Sequence, residues 1–116
     1  MKDLAARIDS AALLLVVALL LSAGPVRAQA DGDSLFKSKC GDCHGANGSG
    51  NTAEGKNMNL RDLRSADVQK QTDEELIGIT ANGKGAMPAY KDKLTGDQIK
   101  QLVAHIRDLA KKNKKK

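Results

Sequence analysis

The 116-residue chain contains very few aromatic and cysteine residues. It has no Trp, one Phe, one Tyr and two Cys, and only two residues separate the cysteines, Cys40 and Cys43. A disulfide between them would constrain little of the unfolded chain, because it would close a very short loop. Apolar residues make up 20 of the first 30 positions but only 27 of the remaining 86. A small domain with so few core residues usually needs a further stabilising group, so we expect a bound cofactor.

The sequence also lacks the basic surface that a nucleic-acid-binding protein needs. The net charge is +5, but five lysines lie within residues 111–116, and residues 31–110 carry 11 basic and 12 acidic side chains. Nucleic-acid-binding domains usually present a basic stripe with aromatic residues, so we expect no nucleic-acid partner. The lysine-rich C-terminal tail, residues 111–116, is either a solvated, frayed end or a segment that steers the protein towards an acidic partner.

Residues 1–30 have the pattern of a secretory signal peptide. Basic residues precede an apolar run over residues 11–21, and Ala28-Gln29-Ala30 is a typical cleavage sequence. Eleven apolar residues are too few to cross a bilayer as a helix. We predict that the mature protein begins at Asp31, with cleavage after Ala28 as the alternative, and that it is not stably inserted in a membrane.

The rest of the sequence predicts an all-α domain over residues 31–110. A first helix is expected from Asp33 to Cys43, residues 45–59 are expected to form a loop rich in Gly and Asn, and a short helical turn is expected after Ser65. No segment alternates apolar and polar residues for long enough to predict a strand.

Two capping boxes predict the remaining helices. Thr72 and Glu75 should begin a helix that ends at Asn82, and Thr95 and Gln98 should begin another. The second helix has the most regular pattern, because its apolar residues recur on one face. These residues are Ile99, Leu102, Val103, Ile106, Leu109 and Ala110.

The sequence CGDCH at residues 40–44 is the attachment signature of c-type haem. On one helical turn, Cys40 and Cys43 can each form a thioether with a haem vinyl group, and His44 can then donate an imidazole nitrogen to the iron. A thioredoxin-like redox pair would need a preceding strand. A zinc site needs about four ligands. Beyond Cys40, Cys43 and His44, only His105 offers a further soft donor, and the adjacent Cys43 and His44 are awkwardly placed for one tetrahedral site.

Met87 is the predicted second axial ligand of the iron. It lies in a glycine-containing segment, residues 83–90, between the two capped helices, where Pro88 stiffens the chain. A Met in such a loop lies outside any apolar stripe and is free to act as a ligand. The other candidates are Met58, which has a weaker loop and is expected only to cover the edge of the haem, and His105.

Taken together, residues 32–110 resemble the class I cytochromes c, in particular the small soluble mono-haem proteins of bacterial periplasms and photosynthetic lumens. The resemblance rests on residues 40–44, on Gly32 and Phe36 before them, on residues 87–90 and on residues 102–107. It implies that the first and last helices cross around one covalently attached haem.

The resemblance also predicts particular contacts and one missing partner. Gly32 and Phe36 should contact Leu102 and His105 at the helix crossing, where His105 replaces the aromatic residue that is usual in the family. The proline whose carbonyl often accepts a hydrogen bond from the haem-ligating histidine is absent, and a carbonyl near Ala53 is the candidate replacement.

The function implied by the resemblance is one-electron transfer by a soluble, monomeric protein. Iron held by both His44 and Met87 has no open position for a substrate, so we expect an electron carrier and not an enzyme. Its partners would be periplasmic or membrane redox proteins, and its location the periplasm or, alternatively, a thylakoid lumen. The alternatives are a fixed haem subunit of a dehydrogenase or oxidase, and a peroxidase or gas-binding protein if Met87 is labile.

Overall fold

The computed structural model describes the backbone of residues 27–116 and the side chains of residues 32–116. This part of the chain contains no β-strand, as the sequence predicts, and its secondary structure consists of helices joined by turns and loops. The helices are α1 (Arg27–Lys39), α2 (Gly41–His44), α3 (Ala53–Asn57), α4 (Ala66–Gln69), α5 (Asp73–Asn82) and α6 (Gly96–Lys114). Of the predicted signal peptide, only residues 27–30 lie within the described residues, and the division at residues 30 and 110 stays a prediction.

The predicted bounds of the first helix, Asp33 to Cys43, are wrong at both ends. The helix begins earlier because residues 28–30, Ala-Gln-Ala, are good helix formers. Asp33 lies inside the helix, where its carboxylate pairs with Lys37 at 2.7 Å instead of capping the first turn. The helix ends before the cysteines because Cys40, with φ −119° and ψ −24°, leaves regular helical geometry. A separate short helix, α2, then carries Cys43 and His44.

The predicted loop over residues 45–59 contains a helix, α3, that the sequence analysis missed. The hydroxyl of Thr52 accepts a hydrogen bond from the backbone N–H of Gly55 at 2.8 Å and so caps the helix. The same hydroxyl donates to the carbonyl of Cys43 at 2.6 Å. A threonine cap is a helix signal, but the many Gly and Asn residues around it favoured the prediction of a loop.

Both predicted capping boxes are confirmed. In each one, the threonine hydroxyl accepts from the N–H three residues later, and the Glu75 or Gln98 side chain accepts from the threonine N–H. The helical turn predicted after Ser65 is α4, and the Ser65 hydroxyl caps it.

Helix α1 crosses α6, and the predicted contacts at this crossing are confirmed. A Cβ added to Gly32 would lie 3.0 Å from the carbonyl oxygen of Gln101 and 3.5 Å from the Cβ of His105, so a larger residue would press on the backbone of α6. The ring centroids of Phe36 and His105 are 5.1 Å apart. Phe36 and Leu102 are both 1% exposed and belong to one buried cluster.

A second buried cluster lies where α4 and α5 meet α6, and consists of Val68, Leu76 and Val103. Arg107 of α6 fixes the segment between α4 and α5, because its guanidinium donates to the carbonyls of Gln69 at 2.9 Å and Gln71 at 2.6 Å. This contact holds the segment against α6.

The apolar face predicted for the last helix is buried, from Ile99 to Ala110. Helix α6 continues beyond Ala110 to Lys114, so residues 111–114 of the tail are helical and not frayed. No helix within the described residues is both long enough and apolar enough to cross a membrane.

Candidate functional site

A cavity of about 420 Å³ lies between the helices, and we call it the central cavity. The four residues predicted to bind the cofactor, Cys40, Cys43, His44 and Met87, all line it. The fold therefore brings residues 40–44 together with a methionine more than forty positions later. The volume lies within the range of roughly 300–1,000 Å³ that is usual for ligand pockets.

The wall of the central cavity is mainly apolar. Its large aliphatic and aromatic side chains come from α1, α4, α5 and α6, from the loop after α3 and from the loop between α5 and α6: Phe36, Leu60, Leu63, Val68, Leu76, Ile79, Leu102, Ile106 and Tyr90. A lining role for Leu60, Leu63 and Val68 was not predictable from the sequence, because these residues lie in a loop or a one-turn helix without periodicity. Such a wall suits a large apolar ligand.

The charged side chains that line the central cavity are all basic. They are Lys39, Arg61 and Lys84, and no Asp or Glu of the described residues lines it. Met58 also contributes to the wall, and 40% of it is exposed. The wall therefore includes both positive charge and an exposed thioether.

Hydrogen bonds hold the turn that carries the cysteines. The N–H of Cys40 donates to the carbonyl of Phe36 at 2.8 Å, and the N–H of His44 donates to the carbonyl of Cys40 at 2.9 Å. The carbonyl of His44 accepts from the N–H of Gly50 at 2.7 Å. With the bond from Thr52 to Cys43, these contacts fix the backbone on which both thiols and the imidazole are placed.

The two cysteines are half-buried free thiols. Burial, with a smaller contribution from Cys43, raises the pKa of the Cys40 thiol to about 11. Redox-active cysteines usually have a lowered pKa, because the thiolate is their reactive form. The raised pKa of Cys40 therefore argues against a thioredoxin-like redox pair.

The imidazole of His44 is suited to donate a nitrogen to a metal. Burial lowers the pKa of His44, so the ring is neutral near pH 7, and only the neutral ring has a free lone pair. Its Nδ1 atom is buried and makes no hydrogen bond within the described residues. The proposed acceptor near Ala53 is therefore not found.

The loop that carries Met87 is folded back on the end of α5. Gly83 ends that helix with φ 76°, and a Cβ added there would lie 2.6 Å from the carbonyl oxygen of Met87, so glycine is required. Lys84 and Met87 exchange two backbone hydrogen bonds of 3.0 and 3.2 Å. These contacts present a half-buried Met87 to the central cavity.

His105 lies at the crossing of α1 and α6 and does not line the central cavity. It is 5% exposed, and its Nε2 atom is 3.7 Å from an oxygen of Asp33. No group of three or more His, Cys, Asp or Glu in residues 32–116 is arranged to hold a metal ion. The position of His105 agrees with its predicted packing role.

Residues 27–106 match the family model described as cytochrome c oxidase, cbb3-type, subunit III. A cytochrome c6 of Leptolyngbya boryana is 36% identical over 83 residues, which cover 72% of this chain and 94% of that protein. A cytochrome c6 of Thermosynechococcus vestitus is 32% identical over 101 residues, covering 84% of this chain and 88% of that protein.

A solved structure described as the KustC0563 c-type cytochrome is also similar. It superposes with a TM-score of 0.61 and is 33% identical, covering 68% of this chain and 96% of that one.

Proposed function

Since the chain belongs to the small class I mono-haem cytochromes c, we propose that it is a soluble one-electron carrier with one covalently bound haem c. The observation that carries the proposal is that Cys40, Cys43, His44 and Met87 line one largely apolar cavity. When bound, the haem supplies the couple between ferric and ferrous iron.

Each of the four side chains has one role in this proposal. The thiols of Cys40 and Cys43 would form the two thioether bonds, and the neutral imidazole of His44 and the thioether of Met87 would hold the iron. A thioether is a soft, neutral ligand that favours ferrous iron and raises the potential. The apolar wall would exclude water from the centre, and iron held by both side chains would have no open position for a substrate, so we propose a carrier and not an enzyme.

Electrons would pass to and from partner proteins where basic side chains line the central cavity. Lys39, Arg61 and Lys84 line it, as does Met58, which is 40% exposed. Exposed charges increase the rate of encounter with a surface of opposite sign, so a redox partner with an acidic docking surface fits. We propose that the carrier is a monomer in the periplasm or, alternatively, a thylakoid lumen, which the signal-peptide pattern of residues 1–30 supports.

Extraction with acidified acetone tests the covalent haem. The haem absorbance of the purified protein should stay with the precipitated protein, because thioether bonds survive this treatment. Haem that moves into the organic layer would rule out a c-type attachment.

The double variant Cys40→Ser/Cys43→Ser should yield little folded protein, since the interior would lose its largest apolar group.

The description of the matching family as an oxidase subunit favours a second candidate, a fixed haem subunit of a larger complex. Purification from the native membrane and soluble fractions separates the two functions. A carrier should elute as a free monomer that is reduced and oxidised by added redox proteins. A fixed subunit should instead co-purify with other chains in constant proportion.

A further inference from the structure

Tyr90 connects the two segments that carry the predicted iron ligands. Its hydroxyl donates a hydrogen bond of 3.0 Å to the carbonyl of Lys39, the last residue of α1 and the neighbour of Cys40. The two residues are 51 positions apart in sequence. The carbonyls in the last turn of a helix have no partner within that helix, so this bond also satisfies the end of α1.

The backbone of Tyr90 is itself fixed by hydrogen bonds to the segments on either side of its loop. Its N–H donates to the carbonyls of Thr80 and Ala81 at 3.1 and 3.2 Å, and its carbonyl accepts from the N–H groups of Lys93 and Leu94, each at 2.9 Å. Tyr90 is therefore anchored to α5 and to the turn before α6. Only two residues separate it from Met87, and both Met87 and Tyr90 line the central cavity.

We propose that Tyr90 is a positioning residue that holds the Met87 loop at a fixed separation from the cysteine-bearing turn and so keeps Met87 on the iron. This inference rests on the proposed function. The carbonyl of Lys39, which accepts the bond, is next to Cys40 and so belongs to the segment that carries His44. The hydroxyl of Tyr90, which donates it, belongs to the loop that carries Met87. If the bond is lost, the loop can move away from the turn while the rest of the core stays in place.

The ring of Tyr90 alone could have a simpler role in packing. Phenylalanine would preserve the ring contacts with the buried cluster around Phe36, and it would preserve the contact of Lys93, whose Nζ lies 5.6 Å from the ring centroid. It would remove only the hydroxyl. Tyr90→Phe therefore separates positioning from packing.

The measurement is the rate at which CO binds to the reduced holoprotein, together with the weak red absorption band of sulfur-ligated ferric iron. CO binds only when Met87 has left the iron, so its rate reports the fraction of open loops. We expect Tyr90→Phe to bind CO roughly 2- to 10-fold faster, the factor that one hydrogen bond contributes to an equilibrium constant. When Tyr90→Phe is heated, the red absorption band should be lost at a lower temperature than the circular-dichroism signal of the helices.

Two controls and a second modification make the test specific. Lys93→Ala removes the cation–π contact and Thr95→Ala removes the α6 cap, and neither should change CO binding. Tyr90 is the only tyrosine of the chain, so growth on fluorotyrosine modifies this position alone. The more acidic phenol is a stronger donor and should slow CO binding.

A CO rate and a band stability in Tyr90→Phe equal to those of the unmodified protein would overturn the inference, even if the melting temperature falls. So would an unchanged rate in the fluorotyrosine protein. If the unmodified holoprotein already lacks the sulfur–iron band, Met87 is not a ligand; the proposed function then fails in its ligand assignment, and the positioning role fails with it. The state of the unmodified protein thus distinguishes the two failures.

Discussion

Met87 and Met58 are the two sulfur-bearing side chains, other than the cysteines, on the wall of the central cavity. They differ in their surroundings: Met87 lies in a loop fixed by two backbone hydrogen bonds with Lys84, whereas Met58 is 40% exposed. A ligand must be held in place against solvent competition. At the scale of single residues, the loop of Met87 is the better ligand site.

Replacement of Met87 should change both the potential and the reactivity of the haem. Met87→His should lower the midpoint potential substantially, within the roughly 0.8 V range that axial ligands control, because imidazole favours ferrous iron less than a thioether does. Met87→Ala should open a coordination position, so cyanide or CO should bind quickly and peroxidase activity should rise. Redox titration and ligand-binding kinetics measure these effects.

Met58→Ala is the matched control for Met87. It should shift the potential slightly and leave ligand binding slow. If Met58→Ala opens the iron and Met87→Ala does not, the ligand assignment is wrong. If the unmodified reduced protein binds CO rapidly, the electron-carrier function gives way to a catalytic or gas-binding one.

His105 should make the stability of the holoprotein depend on pH. Burial lowers the pKa of His105 below its ordinary value of 6.5; Asp33 and Asp108 oppose this shift, and Lys112 and Lys37 add to it. The unfolded chain therefore takes up a proton at a higher pH than the native protein does. Stability should fall as the pH drops below about 6.5 and should become constant once the native pKa is passed.

His105→Phe should remove this pH dependence. Phenylalanine keeps the ring contact with Phe36 and has no proton to bind, so denaturant unfolding should give a flatter stability profile between pH 7 and pH 5. Equal slopes for the two proteins would show that His105 does not titrate differently in the native state.

Among the helices, α3 is packed directly against the turn that carries Cys43 and His44, two of the proposed haem-binding residues. A Cβ added to Gly55 of α3 would lie 2.8 Å from the carbonyl oxygen of Cys43 and would also collide with the carbonyl of Gly50. Thr52 donates to the same Cys43 carbonyl. The glycine and the threonine together allow a five-residue helix to hold the attachment turn.

Gly55→Ala should therefore destabilise the protein and reduce the yield of attached haem. Overpacking of this kind costs about 1–3 kcal/mol, which denaturant unfolding of the holoprotein can measure. Gly78→Ala in α5 is the control, because an added Cβ there meets nothing within 4 Å. It should stabilise the protein by about 0.5–1 kcal/mol. A Gly55→Ala protein as stable as the parent would contradict the close packing of α3.

At the scale of the whole molecule, charge and core are separated along α6. The buried face ends at Ala110, and the exposed lysines follow it. The contacts of the tail are weak: Lys111 is 3.5 Å from Asp108, and Asn113 accepts from Arg64 at 3.4 Å. The tail therefore contributes charge to the surface and little to the stability of the fold.

Truncation after Ala110 should leave the melting temperature nearly unchanged and slow electron transfer to an acidic partner at low salt. The exposed lysines attract an acidic partner from a distance and so raise the rate of encounter. Salt screens this attraction, and at 0.1 M it extends only about 10 Å. Stopped-flow rates at several ionic strengths test this. Unaltered rates at low salt would make the tail a solvated helix end without a role in docking.

The sequence alone determined the features that depend on neighbouring residues. The two capping boxes and the turn after Ser65 were predicted correctly because their hydrogen bonds join residues three positions apart. The CGDCH segment predicted a covalent haem from its spacing alone, and the cytochrome c family of the chain implies one. The apolar face of α6 followed from its period.

Only the tertiary structure decided the features that depend on distant residues. The break at Cys40 was not predicted, and neither was the bond from the Thr52 hydroxyl to the Cys43 carbonyl, which joins residues nine positions apart. The contact of Tyr90 with Lys39 and the meeting of Met87 with His44 in one cavity join segments more than forty positions apart. No local pattern encodes these last contacts, because they form only when the described helices pack together and α1 crosses α6.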